Sequence, residues 1–101
     1  MASNRERTVT KYLKGWFDPR RPVHLDGFIV KIVGEGHNGI PDYLLAYNGA
    51  LYLIEAKRPK GGKVSPIQDE VHKKYLRNGV VVRIISSQEE VIDFLYEICT
   101  T

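Results

Sequence analysis

The sequence predicts an α/β protein: a mixed β-sheet flanked by helices, in the order α-β-β-β-α-β-α. Three observations carry this prediction. Asn48-Gly49 separates two apolar runs, DYLLAY and LYLIEAK, and Asn-Gly in that setting is the strongest short-range hairpin signal. A helical segment lies between the second run and VVVRII, a length that suits a right-handed parallel crossover. Serine-capped amphipathic segments bracket the strands.

Each element has its own signal. Residues 4–16 read as a helix, with Val9, Tyr12, Leu13 and Trp16 at helical spacing and Ser3-x-x-Glu6 as a capping box. FDPRRPVHLDG is a connector punctuated by proline and glycine. FIVKIV, residues 28–33, is a strand, and the glycine-rich GEGHNGIP is a loop. Strands follow at 42–47 and 51–57, then the basic loop KRPKGGKV. Ser65 caps the next helix, with Pro66 at its first position. Ile67, Val71, Tyr75 and Leu76 line one side, and Asn78-Gly79 ends it. A strand at 80–85 precedes a last helix, capped by Ser87-x-x-Glu90 and carrying Val91, Ile92, Leu95 and Ile98.

The chain has 101 residues, which predicts a single domain spanning 1–101. Its formal charge of +3 is mildly basic and permits an anionic partner. The single cysteine, Cys99, rules out an internal disulfide and a cysteine-rich zinc site, and its surroundings predict an inert thiol. No apolar run approaches the roughly 20 residues of a membrane span, and the N-terminal residues lack an apolar signal core. A cytoplasmic protein with no membrane partner is expected.

The hairpin has a chemical consequence. A two-residue turn pairs Tyr47 with Ala50 and Leu45 with Tyr52. Carried outward, the same register sets Asp42 opposite Glu55, with Lys57 on the same face. Paired residues keep their Cβ atoms roughly 4.5–5.5 Å apart. At about 5 Å and an effective dielectric near 20, two carboxylates repel by on the order of 3 kcal/mol. A divalent cation resolves the conflict, and hard oxygen ligands suit Mg²⁺. Lys57 is suited to neutralising a phosphate or helping to orient and deprotonate an attacking water. The plain alternative is a wet sheet edge where Lys57 bridges an exposed pair.

Other candidates carry plain alternatives too. Gln68 is a site residue, the partner of Ser65 in a capping box, or both. Glu6 either caps with Ser3 or points inward with Val9 and Leu13. Arg58, Lys60, Lys63 and Lys73, with Lys74 and Arg77, form either a solvated face or an anion-contact surface beside the carboxylates. His37 is a phosphate contact or a polar loop residue. Arg20 and Arg21 could add contacts, though the sequence does not place them. His24 and His72 show no metal-ligand pattern. Trp16 and Phe17 are expected in the core or a dimer contact.

Pro41-Asp42, then twelve residues, then Glu55-Ala56-Lys57 matches the PD-(D/E)xK signature. With Gly39-Ile40-Pro41-Asp42, Ser65-Pro66-Ile67-Gln68, Gly79 and Ser86-Ser87-Gln88-Glu89-Glu90, the chain resembles the VRR-Nuc (virus-type replication-repair) nucleases, in their stand-alone phage and bacterial form. The resemblance implies a restriction-endonuclease-like fold and DNA phosphodiester hydrolysis dependent on Mg²⁺, with Mn²⁺ able to substitute. It further implies a homodimer acting on branched DNA such as Holliday junctions, in DNA repair, inside a bacterial or phage-infected cell. Asp42, Glu55 and the Ala56 backbone carbonyl match the metal ligands, and Glu6 matches an acidic residue acting through water. Lys57 matches the catalytic lysine and Gln68 the glutamine that follows. The competing readings are a non-catalytic DNA-binding module of the same fold and a flap or restriction-type nuclease.

Overall fold

The computed structural model describes residues 5–34, 38–58 and 62–100, with the side chains of residues 5–7 outside the described set. The elements follow the predicted order: α1 (Arg5–Gly15), β1 (Gly27–Lys31), β2 (Tyr43–Tyr47), β3 (Ala50–Ala56), α2 (Pro66–Arg77), β4 (Val82–Ile85) and α3 (Gln88–Cys99). Ser3, placed in the predicted cap of α1, lies outside the described residues.

Asn48 and Gly49 turn through φ of 49° and 84°. Two successive left-handed residues are what a type I′ turn requires, and Asn-Gly adopts them at little steric cost. The register is the predicted one, from Tyr47 opposite Ala50 to Tyr43 opposite Ile54. β1 pairs antiparallel with β2, β4 pairs parallel with β3, and the sheet order is β1-β2-β3-β4.

Three strands are shorter than their apolar runs, for local reasons. β1 stops at Lys31, although the Ile32 N–H still donates to the Asp42 carbonyl at 2.8 Å. β2 starts at Tyr43, with Asp42 meeting β3 through its side chain. β4 starts only at Val82, because Val80 completes the end of α2. Gly79 takes φ 82°, its N–H donates to Leu76, and the Val80 N–H donates to Tyr75, a Schellman closure.

α1 and α3 pack on one face of the sheet. Val9, Leu13 and Phe17 meet Tyr43, Leu45, Ile54 and Ile85, closed over by Val91, Phe94, Leu95 and Ile98. Trp16 packs against this cluster, so the aromatic end of α1 belongs to the core. In α3, two side chains depart from the expected pattern. Ile92 is exposed, and Phe94 takes the core position. α2 has no buried residue, and Ile67 and Leu76 stay exposed. The side of α2 that is partly buried carries Gln68, Val71, His72 and Tyr75.

The opposite face of the sheet is apolar and incompletely covered. Phe28, Ala46 and Leu51 form one cross-strand row, and Val30, Leu44, Leu53 and Val82 form the next. No ionisable side chain interrupts either row, yet Phe28 and Leu51 are each 68% exposed. Among the described residues, no helix is long and apolar enough to cross a membrane.

The two faces predict different responses to truncation. Leu45→Ala empties a fully buried position and should cost about 2–5 kcal/mol in urea unfolding. Ile67→Ala, on the exposed side of α2, should stay within about 0.5 kcal/mol of wild type.

Candidate active site

The site forms where β2 begins and β3 ends. The chain approaches β2 through the turn at 38–41. Gly39 there takes φ 82°, and an added Cβ would lie 2.8 Å from the Ile67 carbonyl oxygen. Only glycine allows the turn to sit this close to the start of α2. Pro41 is fully buried behind it. Asp42 then turns its carboxylate across to β3, where Oδ2 accepts the Ala56 N–H at 2.9 Å. The side chain thus takes a place that a ladder carbonyl would otherwise fill.

Glu55 is 2% exposed, the one buried charged residue among those described. Its Oε2 accepts from Gln68 Nε2 at 3.0 Å and lies 3.4 Å from Lys57 Nζ. Its Oε1 is also buried and has no hydrogen-bond partner among the described residues. Burial, reinforced by the neighbouring Asp42 charge, pushes the Glu55 pKa from 4.5 to about 7, with Lys57 acting in the opposite direction. The wet-edge alternative does not describe this geometry: the carboxylate is sealed, and the Lys57 side chain is only 14% exposed.

Gln68 resolves its two readings by serving both. Its N–H donates to Ser65 Oγ at 3.1 Å, and its Oε1 accepts the Ser65 N–H at 3.0 Å, completing the capping box. The same Oε1 accepts from Lys57 Nζ at 2.7 Å, while Nε2 holds Glu55. The start of α2 is therefore bonded into the site through one amide group. At the other helix cap, Glu90 donates its N–H to Ser87 Oγ as predicted. Its carboxylate reaches Ser86 instead of closing a box on Ser87.

The structure brings together Asp42, Glu55, Ala56, Lys57 and Gln68. The Ala56 residue is buried, and its N–H is the group that orients Asp42. Arg58 and Lys63 are exposed on the loop leaving β3. Lys73 is exposed but paired with Asp69 at 2.9 Å, one helical turn away. The Glu6 side chain, Lys60 and His37 lie outside the described residues. Sequence reasoning set His72 aside, yet it sits one turn after Gln68 on the same side of α2. Its Nε2 is buried without a partner among the described residues, and burial lowers its pKa. The four-residue spacing from Gln68 was the available signal.

Chemically, the donor set matches what a hard divalent cation takes: two adjacent carboxylates, one with a buried oxygen unsatisfied. Mg²⁺ commonly uses one or two carboxylates and fills its remaining positions with water and phosphate. Among the described residues there is no group of three or more His, Cys, Asp or Glu that could hold a metal. Any further ligands would have to be backbone, water or substrate oxygens, or lie outside the described residues.

No family model matches the chain. It is 35% identical over 66 residues to "Putative nuclease p44" of Acyrthosiphon pisum secondary endosymbiont phage 1, covering 64% of this chain and 70% of the relative. A solved structure described as "VRR_NUC domain" superposes with a TM-score of 0.78 at 28% identity, over 91% of this chain and 95% of that one.

The Glu55 environment predicts a pH dependence of stability. A carboxyl whose pKa is raised on folding binds more protons in the folded state, so stability falls as pH rises. Without divalent cation, melting temperature should fall between the unfolded value of 4.5 and the folded value of about 7. The loss should reach about 3 kcal/mol. Glu55→Gln should flatten this part of the curve; a variant that keeps the wild-type slope would show that the fall comes from another group.

Proposed function

The chain belongs to the VRR-Nuc family of nucleases, and from that premise we propose that it is a Mg²⁺-dependent endonuclease hydrolysing DNA phosphodiesters. Four-way (Holliday) junctions are its preferred substrate, and Mn²⁺ substitutes as the metal. It acts in DNA repair, in the cytoplasm of a bacterial or phage-infected cell. The observation that carries this reading is the buried Glu55 oxygen, unsatisfied among the described residues, beside a second carboxylate. An unsatisfied buried acceptor costs about 1–3 kcal/mol, more when charged. A fold with no use for it would be more stable with an apolar residue there.

Asp42, Glu55 and the Ala56 carbonyl would hold the cation, with Glu6 in support. When bound, the cation would polarise the scissile phosphate and lower the pKa of a water. Lys57 stabilises negative charge developing on the phosphate. Gln68 positions Lys57 and Glu55 together, its amide oxygen on one and its amide nitrogen on the other. Water adds to phosphorus as the bond to the 3′ oxygen breaks, leaving a 5′-phosphate and a 3′-hydroxyl. Arg58, Lys60, Lys63, Lys73 and His37 take flanking phosphates.

The working unit is a homodimer, supported by the uncovered sheet face of Phe28, Ala46 and Leu51. An apolar surface without charge is poorly suited to DNA and well suited to a second copy of itself. Two copies would supply the two cuts that a symmetric junction needs.

Cleavage of a labelled four-way junction and a matched linear duplex with Mg²⁺ tests the activity. Wild type should cut the junction, and Lys57→Ala should lose about 10²–10³-fold in rate. No cutting of any structured DNA with either metal would favour the non-catalytic binding module. Equal cutting of flaps or linear DNA would favour the flap or restriction-type reading. In sedimentation, wild type should run as a dimer and Leu51→Glu as a monomer; a monomeric wild type would rule the dimer out.

A further inference from the structure

Away from the buried lysine, four cations converge on a groove of about 560 Å³ between α1, the turn after it and the β1 edge. Lys11 and Lys14 come from α1, Arg20 and Arg21 from the turn, and Tyr43 from the start of β2. Asp18 is the only carboxylate lining it among the described residues, and both its oxygens are taken by Arg20 at 3.0 Å. Four cations against one carboxylate leave a net of +3 among the described lining residues.

Three of the four cations, Lys14, Arg20 and Arg21, have contacts that hold them in place. Lys14 Nζ lies 5.9 Å from the centroid of the Tyr43 ring. The Arg21 guanidinium spreads over Gly15, where an added Cβ would come within 2.7–2.9 Å of its atoms. Gly15 thus leaves room for a planar cation against the end of α1. The turn itself is tied back by the Arg21 N–H to Asp18 and the Leu25 N–H to Trp16. No salt bridge among the described residues takes up Lys11, Lys14 or Arg21.

We infer that this groove binds the phosphate backbone of a duplex arm that leaves the active site. The inference rests on the nuclease reading and extends it to how DNA is held. Cations strung along a groove fit a row of phosphates better than a single small anion. The groove is also adjacent to the chemistry: Tyr43 in its wall follows Asp42 directly, and their side chains point to opposite faces of the sheet. DNA engaged at Asp42 reaches the groove by passing the end of β2. The extents of the Cα trace run from 24 to 39 Å, which about seven to twelve base pairs span at 3.4 Å each.

Fluorescence anisotropy with Ca²⁺ in place of Mg²⁺ tests this, using junctions with arms of about 15 and about 4 base pairs, lengths set by the 3.4 Å rise. The full chain is compared with the triple variant Lys11→Gln, Lys14→Gln, Arg21→Gln. On long arms the variant should bind roughly tenfold more weakly, and its salt slope should be smaller by about 2–3. On short arms the two proteins should bind alike. Should the triple variant fail to fold, Lys11→Gln with Arg21→Gln leaves the Lys14–Tyr43 contact intact and should lower the slope by about 2. A variant with the wild-type slope on long arms, from a chain that cuts junctions, overturns the groove alone. A wild-type chain that neither binds nor cuts DNA overturns the groove together with the nuclease reading.

Discussion

The hairpin register determines where the carboxylates go. Asn48 and Gly49 both adopt positive φ, and that two-residue turn leaves a single pairing for the residues beyond it. A slip of one residue would move every side chain of one strand to the other face of the sheet. Glu55 would then leave the α2 side and enter the layer of Ile54 and Leu45 beneath α1. Asp42 would lose its place opposite the end of β3. The active-site geometry is thus set by a turn at the far end of the strands.

Burying Glu55 is tolerable because its neighbours share the burden. Gln68 donates to one oxygen, Lys57 stands beside the same oxygen, and the neighbouring Asp42 carboxylate accepts the Ala56 N–H. The amide group of Gln68 joins a helix cap to a charged pair, so α2 is held partly by polar bonds. This accounts for a helix without a buried residue staying against the sheet. It also makes α2 sensitive to what the site holds, because Gln68 touches both the carboxylate and the lysine.

The sheet is unequal on its two sides. One face carries the closed core under α1 and α3, and the other carries the site at one end and an uncovered apolar strip toward the hairpin end. The cations are unequally placed as well, with Lys11, Lys14, Arg20 and Arg21 gathered at the α1 groove. Chemistry, self-association and DNA holding would then occupy separate surfaces, so that none has to be both apolar and basic.

Local signals determined the element order, the hairpin and its register, and the helix caps at Ser65 and Ser87. They act over a few residues, where side-chain type dictates backbone conformation directly. The same signals placed Asp42, Glu55 and Lys57 on one face. Only tertiary structure decided the rest. Ile67 and Leu76 have core-type side chains and helical spacing, but both remain more than half exposed, so periodicity overstated their burial. Phe94 displaced Ile92 because the position of α3 on the sheet chooses which side of the helix faces inward. The double role of Gln68 and the gathering of Lys11, Lys14 and Arg21 depend on distances between elements far apart in the chain. Pattern along a sequence reports what a residue can do, whereas burial and proximity depend on what packs against it.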